Sequence, residues 1–166
     1  MKDDVFFEEI HTTFAHYETE RNKPIPNRIH GTIQSQLFEL RLNYRDKFDI
    51  ADEVSLDVKP GATPDLCIFE KKILDWKTTN AKESDMPITT VEIVSPSQSM
   101  DEMAKKVWDS YFPAGIKSAW IVIPPPFKAI YVLTPDGKQK IFDSGMLKYA
   151  VTGIEVDTEK VFAGMK

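Results

Sequence analysis

The chain has 166 residues, the length of one ordinary domain. Hydrophobic residues make up 42% and charged ones 28%, which excludes a disordered, collagenous or coiled-coil chain and is enough for a core that needs no disulfide or metal. Twenty-one basic against 26 acidic residues leave a formal net charge of −5, so overall charge argues against a protein that coats nucleic acid; such a partner would need a local, cation-assisted site.

From Asp4 to Tyr17 the apolar residues Phe6, Ile10, Phe14 and Tyr17 recur at helical spacing, predicting an N-terminal helix within residues 1–20. Lys23-Pro24-Ile25-Pro26 ends that pattern, because two prolines forbid a continuing helix. A second helix is predicted with Asn27 as its cap and Ile29, Ile33, Leu37, Leu40 and Tyr44 as one stripe. From Ile50 the period becomes two. Val54, Leu56 and Val58 alternate with Ser55 and Asp57 and predict a half-buried strand. Lys59-Pro60-Gly61 is a turn, and Asp65 to Phe69 a second strand. The polar stretch from Lys71 to Pro87 reads as a long loop or ragged hairpin.

Thr89 to Val94 is β-branched and predicts the next strand. Ser99 and Glu102 stand at capping-box spacing before a helix through Met103, Val107 and Tyr111, which Pro113 and Gly115 stop. Ala119–Ile123 and Ala129–Leu133 are strands, and Pro135-Asp136-Gly137 turns the chain into Lys140-Ile141-Phe142. The tail, Gly153 to Phe162, adds a short strand and a terminal turn. The order α-α-β-β-β-α-β-β-β predicts one mixed α/β (α+β) domain over residues 1–166, a central sheet flanked by helices. No apolar run approaches a membrane span, Met1-Lys2-Asp3-Asp4 lacks a signal-peptide core, and one cysteine excludes an internal disulfide. A cytoplasmic protein is expected.

Few residues invite chemistry. His11, His16, His30 and Cys67 form no pair at metal-ligand spacing, and Cys67, mid-strand, reads as a core residue. The serines from 95 to 99 have no nucleophile-elbow context, and seven glycines supply no phosphate loop. Asp65 and Glu92 differ: each is set in an apolar run, and alternation puts Glu92 on the face opposite Val91 and Ile93. A carboxylate among core residues is costly unless it is paired or binds a cation, and two side by side invite a hard divalent ion. On spacing alone Glu92 is equally a solvent-facing residue or the partner of a lysine.

The surrounding residues resemble a known family. Lys23-Pro24-Ile25-Pro26 with His30, Glu53-Val54, Thr63-Pro64-Asp65-Leu66, Val91-Glu92-Ile93-Val94-Ser95-Pro96-Ser97-Gln98, and Tyr111-Phe112 through Gly115-Ile116 to Trp120-Ile121-Val122 resemble the Uma-type branch of the PD-(D/E)XK nuclease superfamily. The resemblance spans residues 21–166. It implies a restriction endonuclease-like fold and Mg²⁺- or Mn²⁺-dependent hydrolysis of nucleic acid, DNA before RNA, by a homodimer. In that reading Asp65, Glu92 and the Ile93 carbonyl hold the metal, and a lysine orients water or offsets charge on phosphate.

One departure stands out. The superfamily lysine follows the second acid by two residues, where this chain has Val94. The Uma-type branch resembles this sequence in placing the lysine on the following helix, where Lys105 and Lys106 compete and the family register selects Lys106. The step from Lys106 to Tyr111 is one residue longer than the family form. A literal D-x-K at Asp75-Trp76-Lys77 is the runner-up site. Glu53 is a further candidate ligand, His30 a phosphate contact or a local hydrogen-bonder, and Gln98 and Tyr111 supports for the lysine. Relief of carboxylate repulsion predicts that removing either acid's charge raises stability. Two rival readings stay open: a catalytically inactive nuclease-fold dimer that binds or regulates, and an interaction domain using Trp76 and Trp108.

Overall fold

A computed structural model describes residues 24–78 and 80–166; the predicted N-terminal helix, His11 and His16 lie outside them. Asn27 caps the first helix, α1 (Arg28–Leu37), by accepting the His30 N–H at 2.9 Å, and after a turn at Phe38 a short α2 (Glu39–Tyr44) follows. The predicted single helix is thus two. Its buried face runs through His30, Ile33 and Leu37 rather than starting at Ile29, which is exposed.

Six strands form one sheet in sequence order: β1 (Phe48–Asp52), β2 (Leu66–Glu70), β3 (Thr89–Ile93), β4 (Ser118–Ile123), β5 (Ala129–Leu133) and β6 (Gln139–Phe142). All neighbours are antiparallel except β3 and β4, which are parallel. A parallel pair needs a crossover, and α3 (Met100–Lys106) supplies it. A separate hairpin, β7 (Met146–Tyr149) with β8 (Ile154–Asp157), and a last turn of helix, α4 (Thr158–Val161), complete the chain. Of these, β7 was not anticipated; its four residues alternate exposed and buried, too short a run to stand out.

The first strand is displaced from the expected Val54–Val58. From Phe48 to Val58 the large apolar residues keep even numbers, so alternation does not say where pairing stops. Glu53 stops it, at a left-handed φ of 54° that no ladder accommodates. Ile50, before it, packs with Ile33, Leu37, Leu66 and Val91 on the α1 face of the sheet. Leu56 and Val58, after it, pack with Cys67, Met103, Val107 and Ile121 on the α3 face. One residue therefore carries the chain from one layer to the other. Among the described residues no helix is long and apolar enough to cross a membrane.

Candidate active site

The β2–β3 ladder ends with Leu66 opposite Val91, and Asp65, in the bend just before β2, accepts the N–H of Ile93, the residue after Glu92, at 2.7 Å. Val91 and Ile93 belong to the α1 layer, which turns Glu92 toward α3, with Cys67 and Ile121 as neighbours in its layer. Both acids are buried, Asp65 to 1% and Glu92 to 3% exposure. Burial of that kind requires partners.

Glu92 finds them on α3. Ser99 and Glu102 close both halves of a capping box, Ser99 Oγ accepting from the Glu102 N–H at 3.2 Å and Glu102 Oε2 from the Ser99 N–H at 2.8 Å. The helix so started brings the Lys106 ammonium 2.8 Å from Glu92 Oε1, and the Tyr111 hydroxyl donates to the same oxygen. Glu92 Oε2 accepts no hydrogen bond among the described residues. The ammonium also lies 5.5 Å from the centre of the Tyr111 ring. Burial, then the charge and hydrogen bond of Glu92, with Cys67 and Asp65 adding, push the Tyr111 phenol well above the usual tyrosine range.

The long step from Lys106 to Tyr111 has a structural counterpart. Val107–Tyr111 is a π-helical turn in which the Phe112 N–H donates to the Val107 carbonyl, five residues back, at 3.0 Å. A π turn absorbs one extra residue. It lets residues five apart share a face, so Lys106 and Tyr111 reach one oxygen. Lys105 is exposed on the helix.

Asp65 is held from the other layer. His30 Nε2 donates to Oδ1 at 3.0 Å, and the Ile93 N–H donates to Oδ2 at 2.7 Å. Its carbonyl accepts from Gln34 Nε2 at 3.2 Å and from the Glu53 N–H at 3.3 Å. The Ser95 hydroxyl lies 3.5 Å from His30 Nδ1, and Gln98, expected beside the lysine, instead accepts from the Ser95 N–H at 3.0 Å. His30 therefore makes a bond 35 residues away in sequence, not a local one. The same stripe that buries Ile33 and Leu37 could have revealed it: a polar residue three positions before Ile33 on a core face needs a distant partner. Gln34 and Ser95 left no such signal. Glu53, half-buried, flanks Asp65 on the β1 side.

The runner-up Asp75-Trp76-Lys77 is elsewhere, in a one-turn 3₁₀ segment of the β2–β3 loop. There Asp75 Oδ1 accepts the Lys77 N–H and Trp76 is 81% exposed. A cleft of about 550 Å³ reaches Lys106 past Pro60, Ser97, Gln98 and Lys105. Asp65 and Glu92 do not line this cleft, nor do they or Lys106 line the larger hollows of about 760 and 830 Å³. Among the described residues no three His, Cys, Asp or Glu side chains gather as a metal cluster. Two carboxylates and a backbone carbonyl, all oxygen, still suit a Mg²⁺-type ion, which keeps several waters and shares substrate phosphate.

The family model for Uma2, described as putative restriction endonuclease, matches residues 8–145. The chain belongs to the Uma2 family. The match begins earlier and ends sooner than the residues 21–166 of the sequence resemblance, and it includes Asp65, Glu92 and Lys106. A solved structure titled a putative nuclease belonging to DUF820, from Anabaena variabilis ATCC 29413, superposes with a TM-score of 0.62. The two are 19% identical over 84% of this chain and 83% of that one, a likeness of fold. Among curated proteins none matches. Membership identifies the mixed sheet flanked by helices as the restriction endonuclease-like architecture and makes this a nuclease-type chain.

Proposed function

We propose that this chain is a Mg²⁺- or Mn²⁺-dependent endonuclease that hydrolyses phosphodiester bonds, with DNA as the substrate. The observation that supports this reading most is the bond from the Ile93 N–H to Asp65, one residue after the buried Glu92, with the Lys106 ammonium on Glu92. In this proposal Asp65, Glu92 through Oε2, and the Ile93 carbonyl hold the cation, which polarises the scissile phosphate and makes a water acidic near neutral pH. Lys106 lines the cleft, so its ammonium is available both to Glu92 and to an arriving phosphate. It orients the attacking water or offsets charge growing on phosphoryl oxygens. Tyr111 keeps Glu92 Oε1 hydrogen-bonded when Lys106 turns to substrate.

Duplex cleavage by a one-site domain calls for two copies, and we take the working unit to be a twofold homodimer. The lone, buried Cys67 fits a reducing compartment such as the cytoplasm. Incubation of plasmid DNA with the protein and Mn²⁺ tests the activity, and calorimetric titration with Mn²⁺ tests the site. Nicked or linear DNA is the expected product.

The rival reading is a nuclease-fold binding module without catalysis. Val94 in the superfamily's lysine position and the Lys106–Glu92 pair, which neutralises an acid without any metal, favour it. Mn²⁺ binding by the wild type that Asp65→Asn abolishes supports the nuclease. Intact DNA with no Mn²⁺ binding supports the module.

A further inference from the structure

We infer that His30 is a positioning residue for Asp65, fixing the carboxylate in the one orientation that presents it to a divalent cation. The inference rests on the metal-site reading above. Helix α1 packs its buried stripe against the sheet, yet devotes two polar side chains to a single residue. His30 addresses the Asp65 side chain and Gln34, one turn on, addresses its carbonyl. His30 is itself 4% exposed, a burial that is unfavourable unless its ring nitrogens are partnered.

The chemistry sets the direction of each bond. A carboxylate at neutral pH only accepts, so Nε2 carries the proton that Oδ1 receives. Oδ2 takes the Ile93 N–H, and that bond ties Asp65 to the strand that carries Glu92. A donor on each oxygen, His30 on Oδ1 and Ile93 on Oδ2, holds the carboxylate plane against rotation. A ring that orients a ligand's carboxylate is worth roughly 10–100-fold in metal affinity.

The Asn27 cap is what allows this reach. It starts α1 at Arg28 and places His30 in the first turn, at the end of the helix nearest the Asp65 end of β2. A purely structural role, pinning α1 to the sheet, would be shared by Ile33, which is fully buried one turn on.

The test compares Mn²⁺ affinity and metal-free melting temperature in wild type, His30→Leu, His30→Gln and Ile33→Ala. His30→Leu is expected to weaken Mn²⁺ binding by roughly 10–100-fold. His30→Gln, whose amide can donate from the Nε2 position, should recover most of that loss. Ile33→Ala should lower the melting temperature and leave Mn²⁺ affinity unchanged. Wild-type affinity in His30→Leu, or an equal loss in Ile33→Ala, overturns the assignment. Should His30→Leu fail to fold, the ¹⁵N resonance of His30 Nε2 in the wild type decides: a shift on Mg²⁺ saturation supports the role, and an unmoved resonance overturns it. A wild type that binds no Mn²⁺ sinks the metal-site reading and this inference with it; wild-type binding with an unaltered His30→Leu sinks this inference alone.

Discussion

At the residue scale, the two acids are not the repelling pair that the sequence alone suggests. Asp65 has donors from His30 and Ile93, and Glu92 has donors from Lys106 and Tyr111. Neutralising either acid therefore costs charge-assisted bonds. Asp65→Asn and Glu92→Gln should each abolish Mn²⁺-dependent cleavage and lower stability by about 1–3 kcal/mol, measured by urea unfolding, instead of raising it. Increased stability in both would restore the repulsion argument. Lys106→Met leaves Glu92 Oε2 untouched, so Mn²⁺ affinity should hold or tighten while turnover falls about 100-fold or more. Lys105→Met and Asp75→Asn are the controls for that comparison, since both residues are exposed and the donors to Glu92 are Lys106 and Tyr111. Loss of cleavage in Asp75→Asn with activity kept in Glu92→Gln would move the site to the literal D-x-K.

At the element scale, α3 and its π turn present Lys106 and Tyr111 to Glu92. The helix is only seven residues long, so its capping box is a large part of its stability. Ser99→Ala should cost about 1 kcal/mol. For a domain of this size that lowers the melting temperature by about 2–4 °C, readable by circular dichroism. The π turn permits a sharper check. Deleting the exposed Asp109 removes the extra residue, and an ordinary α turn then brings the lysine and tyrosine to a four-residue spacing on one face. The deletion is expected to melt cooperatively and keep Mn²⁺ binding. Loss of folding would mean that the π turn is required by its packing and not only by spacing.

At the scale of the whole molecule, the net charge of −5 sets the terms of any encounter with DNA. Phosphate is repelled on average, so binding should depend on the cation bridging it to Asp65 and Glu92. Fluorescence anisotropy with Ca²⁺, in place of a cleavage-supporting ion, should show DNA affinity at least about tenfold tighter than without divalent ion. Tight metal-independent binding would point to a binding module. Light scattering should give twice the 19.0 kDa of one chain; a monomer at high concentration removes the dimer from the proposal.

Legibility in the sequence followed the range of the interactions involved. The capping box, the Asn27 cap, the β-branched strand Thr89–Ile93 and the hairpin at Pro135-Asp136-Gly137 are local, and local residue types determine them. The two neighbouring strands that carry or follow the acids, β2 and β3, were legible too as short apolar runs, while the partners of Asp65 and Glu92 were not. Tertiary structure alone decided the rest. The π turn that brings Lys106 and Tyr111 to one oxygen of Glu92 is announced by no propensity. Glu53 ends the first strand and changes its layer, through a backbone angle that alternation cannot see. His30 acquired its partner 35 positions away only when α1 packed across the sheet, for a buried imidazole takes whatever acceptor the neighbouring layer brings to it.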